Sequence, residues 1–246
     1  MRDESVGPSR TWAALAGATL GGAAAVAYAA VCPAAQVWGR GFYRGGAAGR
    51  ELALTFDDGP SNETPAFLDL LARYDIRGTF FVCGRNVERR PETARRVLAA
   101  GHEVGNHTDS HPLLLRLPPW RVRREVETAQ RILEDRLGVR PALFRAPYGV
   151  HAPGLRAALE LEELTAVRWT VIGNDWRWPA PAIARRVLRG ASPGGVICLH
   201  DGRETFPSAD RQNTLAALET ILPILLAEGY RFVTASEMRE TLVKAL

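Results

Sequence analysis

Short apolar runs alternate with longer amphipathic ones along this chain, and that alternation leaves few folds open to it. ELALTF (51–56), GTFFVCG (78–84), HEVGNH (102–107), ALFRAP (142–147), TAVRWTVIG (165–173), GVICLHDG (195–202) and YRFVTASEM (230–238) read as strands, the last ending in a turn. Between them, segments such as TPAFLDLLARYD (64–75), WRVRREVETAQRILEDRLG (120–138) and TLAALETILPILLAEG (214–229) read as helices. Strands separated by helices are joined by crossovers, which predicts a parallel α/β architecture. In a β/α barrel the strand ends converge on one face, and in an open parallel sheet they gather at the switch point. Asp57, Asp58, His107, Arg145, Asp175 and His200 all follow such strands, so either arrangement brings them together.

Apolar residues make up 46% of the chain and charged residues 24%, which excludes a wholly disordered chain and a multi-spanning membrane protein. The net charge is +4. No Lys/Arg cluster is interleaved with aromatics, so nucleic acid is not indicated as a partner. Arg89, Arg90, Arg95 and Arg96 read as a solvated helix face. Cys32, Cys83 and Cys198 are too scattered for a disulfide framework or a CxxC metal pair. Cys83 and Cys198 read as small buried hydrophobes.

Residues 11–31 form a stretch of 21 residues without charge, 13 of them Ala or Gly, after Arg2 and Arg10. An uncleaved membrane anchor, a signal cleaved at Ala27-Tyr28-Ala29, a lipoprotein signal ending at Cys32 and a buried Ala-rich helix compete for this segment. The first two place the rest of the chain outside the cytoplasm. Residues 33–49 are rich in Gly, Ala and Pro and read as a linker. The division is therefore 1–32 (anchor or signal, as an apolar helix), 33–49 (linker) and 50–246 (candidate catalytic domain).

TFDDGP (55–60) places two carboxylates side by side. Adjacent strand residues point to opposite faces, so both acids reach one site only if the strand ends, and Gly59-Pro60 supplies that end. Neighbouring carboxylates repel, so a cation or an Arg must hold them. His107 and His111 are four apart, the spacing that projects two imidazoles from one face of a helical turn and suits one metal. Two His and an Asp leave coordination positions open for hydrolytic chemistry. Arg145, in RAPYG, is placed to neutralise the second carboxylate, and its Pro-Gly loop to aim a backbone N–H at an oxyanion. His200 closes an apolar strand and reads as a general acid or a satisfied structural His. His102 and His151 match no ligand pattern and read as loop or surface residues.

Together these motifs resemble the polysaccharide deacetylases, carbohydrate esterases of the NodB-homology type, across residues 50–246. TFDDG, HTDSH, RAPYG and VICLH fit that family's motifs in order. The fourth motif appears as IGNDW (172–176), with Ile172 in place of its usual first Asp. The resemblance implies a distorted (β/α)7 barrel. It implies a divalent metal, usually zinc, on Asp58, His107 and His111. Asp57 would be the base, Arg145 its orienting partner, His200 the acid, and Tyr148 a backbone donor to the oxyanion. Asp175 would support the network through Arg145 or His200. Trp176 and Trp178 would stack on sugar rings or pack at the rim.

The activity so implied is N-deacetylation of an N-acetylated polysaccharide or oligosaccharide, such as peptidoglycan or a chitin-like oligomer. Deformylation or deacetylation of a lipid-linked sugar, O-deacetylation, and an inactive carbohydrate-binding module are the other readings. No obligate protein partner is indicated. The expected location is the cell envelope, anchored or secreted.

Overall fold

The computed structural model describes residue 22 and residues 24–243. Nine strands are formed among them: β1 (Gly41–Phe42), β2 (Glu51–Gly59), β3 (Thr79–Val82), β4 (Glu103–Asn106), β5 (Leu143–Phe144), β6 (Thr165–Val167), β7 (Val171–Ile172), β8 (Gly195–His200) and β9 (Arg231–Val233). They make one sheet in the order β1-β6-β5-β4-β3-β2-β8-β7, with β9 on β2. Every ladder is parallel.

The run read as one strand over 165–173 is broken at Arg168–Thr170. Its first part pairs with β5 and its second with β8. A strand that changes partners in mid-course curls the sheet into a distorted barrel, in keeping with the expected fold. The gap it leaves is filled from the stretch read as a linker. Gly41 and Phe42 pair with Ala166 and Val167, and Arg44 forms a bridge with Gly195. Part of 33–49 is therefore built into the sheet, because the turn at 168 leaves the edge of β6 otherwise unpaired. A Cβ on Gly41 would lie 1.9 Å from the carbonyl oxygen of Ala166.

Alternation along each strand sorts its side chains. On β2, Leu52, Leu54 and Phe56 face the surrounding helices, while Ala53 joins Phe81, Leu143, Val167 and Val196 in the barrel interior. The same period turns Thr55, Asp57, Arg145, Cys198 and His200 inward above that apolar plug. Interior packing leaves no room at Gly105, where a Cβ would sit 2.5 Å from the Phe81 ring. Gly105→Ala is expected to destabilise the fold by about 1–3 kcal/mol through overpacking, read as a lower denaturation midpoint at unchanged m-value.

The long helix Pro119–Leu137 shows how the outer layer forms. Proline occupies its first turn, and Gly138 closes it at φ 70°. Its buried stripe of Val122, Val126, Ala129, Ile132 and Leu133 recurs at helical spacing. Gln130 lies in that stripe, accepts a bond from Asn106 Nδ2 at 3.0 Å and donates to the Pro141 carbonyl at 2.8 Å, tying β4 in place.

Other segments differ from the sequence reading. The last strand gives way to a helix, Ala235–Val243, rather than a turn. Arg89 and Arg90 are not simply a solvated face: they hold the carbonyls of Thr205 and Pro207 in the loop after β8. His102 and His151 are buried, not surface residues. His102 Nδ1 accepts the Gly78 N–H at 3.1 Å. Burial first, and Arg77 or Arg168 second, hold these two imidazoles near pKa 4 and 3, so both are neutral. Cys83 and Cys198 are buried as expected. Of the apolar N-terminal segment, residues 24–31 are helical and residues 1–21 lie outside the described residues. Among the described residues no helix is long and apolar enough to cross a membrane.

Candidate active site

The two adjacent carboxylates reach the same place by a device the sequence reading did not include. Strand β2 does not end at Asp58; it bulges there. Register slips between Asp57 and Gly59, and Asp58 takes φ 72°. One left-handed residue turns the Asp58 side chain back toward the face that Asp57 already occupies. Both acids are buried, at 3% and 5% exposure.

Asp58 meets the two histidines. Its Oδ1 lies 3.0 Å from His111 Nε2 and 3.4 Å from His107 Nε2. These residues are not on a helical turn. They flank an irregular loop in which Thr108 and His111 have φ 67° and 56°, and the loop aims both Nε2 atoms inward. His107 Nδ1–H donates to the Arg145 carbonyl at 2.7 Å, which leaves its Nε2 as a lone pair. Among the described residues Asp58 Oδ1 is buried with no hydrogen-bond donor. Burial pushes the Asp58 carboxyl upward, but contacts with His107 and His111 hold it well below the usual range. An anionic oxygen and two imidazole nitrogens converging in a buried place form the donor set a divalent cation takes.

Asp57 is held differently. Arg145 Nη1 donates to its Oδ1 at 2.8 Å and to Thr55 Oγ1 at 2.6 Å, and Cys198 Sγ lies 3.4 Å from its Oδ2. Arg145 is wholly buried, with its guanidinium 4.2 Å from the Phe81 ring centre and its Nε donating to the Val167 carbonyl.

Asp175 pairs with His200, not with Arg145. His200 Nδ1 lies 2.8 Å from Asp175 Oδ1, while the His200 backbone N–H and Thr214 Oγ1 both donate to Oδ2. Burial lowers the affinity of His200 for its proton, but Asp175, with Asp58 and Asp57 behind it, outweighs that and raises the pKa to about 9. Its imidazole is therefore cationic at neutral pH. A group that acts as an acid loses function as pH rises through its pKa. Asp175→Asn is expected to move the alkaline limb of kcat/KM down by roughly 1–3 pH units. An unchanged limb would remove His200 from the acid role.

Tyr148 has φ 58°, its ring lies 4.8 Å from His111, and its hydroxyl donates to Glu204 Oε1 at 3.1 Å. Trp176 is exposed and stands edge-on to His200 at 5.1 Å. Trp178 is not at the site: it packs on the core beneath the Arg186 guanidinium.

Several supporting residues went unread in the sequence. Glu204 donates its backbone N–H to Asp58 Oδ2, and Asn86 Nδ2 holds the carbonyls of both Asp58 and Glu204. Asp201 is buried behind the bulge and accepts from Thr64 Oγ1. Burial raises its pKa to about 7, against the hydroxyl contact. A Cβ on Gly59 would come within 2.5 Å of Asp201 Oδ2. The signal available was position alone, since Asp201 directly follows a site residue at a strand end.

The sequence pattern of the polysaccharide deacetylase family matches residues 44–190. This chain belongs to that family. It is 39% identical over 190 residues to a chitooligosaccharide deacetylase of Bradyrhizobium, covering 74% of this chain and 87% of that one. It is 37% identical over 191 residues to a peptidoglycan-N-acetylglucosamine deacetylase of Listeria monocytogenes, covering 77% of this chain but only 39% of that longer protein. The solved structure of a peptidoglycan deacetylase from Bacillus subtilis superposes with a TM-score of 0.72 at 35% identity, over 81% of this chain and 95% of that one.

Proposed function

We propose that the protein is a metal-dependent hydrolase that removes N-acetyl groups from an N-acetylated glycan of the cell envelope, with peptidoglycan or a chitin-like oligomer as substrate. The observation that carries this reading is the division of labour between two adjacent acids. Asp58 faces the Nε2 atoms of two histidines, and Asp57 is clamped by Arg145 away from them. Relatives named for peptidoglycan and chitooligosaccharide deacetylation support the substrate class.

Asp58, His107 and His111 would hold the cation, with zinc the best match to a His2Asp set. A divalent cation there supplies Lewis acidity toward the acetyl carbonyl and lowers the pKa of water. Asp57 takes the proton from the attacking water. It is suited to that task because Arg145 fixes its Oδ1, while its Oδ2 meets a weak thiol donor, Cys198 Sγ. Tyr148, in its left-handed turn, offers its backbone N–H to the developing oxyanion. His200, held as imidazolium by Asp175, gives its proton to the departing amine. Acetate and a free amino sugar result. Trp176 offers a sugar ring an exposed aromatic face beside His200. Residues 50–246 with the β1 strand form the catalytic unit. Residues 1–32 would deliver it across the membrane as an anchor or signal.

The test is acetate release by the metal-loaded protein from peptidoglycan, chitooligosaccharides and acetylated xylan. Release from either N-acetylated glycan supports the reading. Release from xylan alone would move the activity to esters, and formate in place of acetate would move it to a formylated sugar.

A further inference from the structure

We propose that the face formed by helix Ala180–Gly190 and the segment around Pro33 is a docking surface for an anionic phospholipid membrane. Two adjoining clefts, of about 520 and 580 Å³, open on this face. Arg185 and Arg189 line both, Arg186 lines the larger, and no Asp or Glu lines either. All three arginines are exposed, and among the described residues none is in a salt bridge. Arg186 stacks over Trp178 and donates its Nε to the carbonyl of Ile172, whose side chain offers no charge to neutralise it. Unpaired guanidinium groups beside half-buried Trp169 and Trp178 match the charged-and-aromatic character of a membrane–water interface.

The occupant is indicated by the chain itself. Pro33 lies in the larger cleft, so the N-terminal segment enters the domain on this face. Its helical end is fixed there. Buried Arg168 donates to the carbonyls of Ala30 and Cys32, and the His151 backbone N–H also donates to Ala30. Side chains on this segment are apolar and exposed: Val26, Tyr28, Val31 and Val37 are each 45–59% accessible. The residues before them, from 11 onward, carry no charge. An apolar lead-in beside an unpaired arginine cluster is the arrangement that seats a domain on anionic headgroups. The catalytic residues lie at the strand ends, and none of them lines either cleft.

The test uses the full chain with vesicles of phosphatidylcholine alone or of phosphatidylcholine with 30% phosphatidylglycerol. Arginine modification by phenylglyoxal, followed by mass spectrometry, reads the face directly. Arg185 and Arg189 are expected to be protected severalfold on anionic vesicles only, and Arg131, on the helix 119–137, on neither. Partitioning should favour anionic vesicles, and Arg185→Glu with Arg189→Glu should weaken that preference at least about tenfold while turnover of a soluble substrate stays unchanged. The N-terminal segment is common to the wild type and the double variant, so their difference on anionic vesicles isolates the two arginines. Equal modification on the two vesicle types would overturn the proposal. So would protection by a soluble polyanionic glycan without protection by vesicles. Either result would leave the deacetylase reading untouched.

Discussion

Asp57→Asn is expected to lower acetate release by roughly 10²–10⁴ per metal-loaded molecule while metal content stays at the wild-type level. Asparagine keeps the shape of the side chain and can still accept the Arg145 hydrogen bond. It cannot take a proton from water. The substitution also leaves the Arg145 guanidinium buried without its counter-charge, so some loss of stability accompanies it. Activity is therefore to be normalised to folded protein, measured by denaturant titration. Near-normal turnover would assign the base to another group.

His107→Ala and His111→Ala are expected to act on the metal rather than on the proton. Each removes a nitrogen that faces Asp58 Oδ1, at 3.4 and 3.0 Å respectively. Loss of groups that merely support a ligand commonly weakens metal binding about 10–100-fold, so loss of a ligand itself should exceed that. Turnover should fall below detection at sub-stoichiometric metal. The two variants should also differ. His107 is fixed through Nδ1 by the Arg145 carbonyl, whereas His111 Nδ1 has no partner among the described residues. Excess zinc is therefore expected to restore His111→Ala more readily than His107→Ala. Stoichiometric metal retained by the double variant would contradict the ligand assignment.

The barrel was legible because its strands are short continuous apolar runs and its helices carry apolar residues at period 3.6. Where the backbone left those patterns, the reading slipped. Residues 165–173 look like one strand because Val167, Val171 and Ile172 are all apolar. Nothing local announces that the Arg168 side chain leaves the strand to bind the N-terminal segment. Gly41 and Phe42 looked like linker because two residues among glycines carry no period, and only the open edge of β6 explains their pairing. The motifs named acids, histidines and an arginine that do lie together, but not the supporting Asn86, Asp201 and Glu204, nor the geometry of the cluster. The spacing of His107 and His111 fits a helical turn equally well. Positive φ at Thr108 and His111 is a tertiary outcome, as is the bulge that lets Asp57 and Asp58 share a face. Histidines 102 and 151 were misplaced for a related reason: each lies within two residues of a glycine in a loop, yet the loop folds inward.

Metal removal tests the central claim most directly. Acetate release from chitooligosaccharide and bound metal are to be measured on the same preparation before chelation, after it, and after titration with zinc. The account predicts that release disappears with the metal. It should return in proportion to zinc up to one equivalent per chain, and the His107→Ala/His111→Ala variant should show no such return. Full acetate release from metal-free protein, or recovery in the double variant at one equivalent, would contradict it.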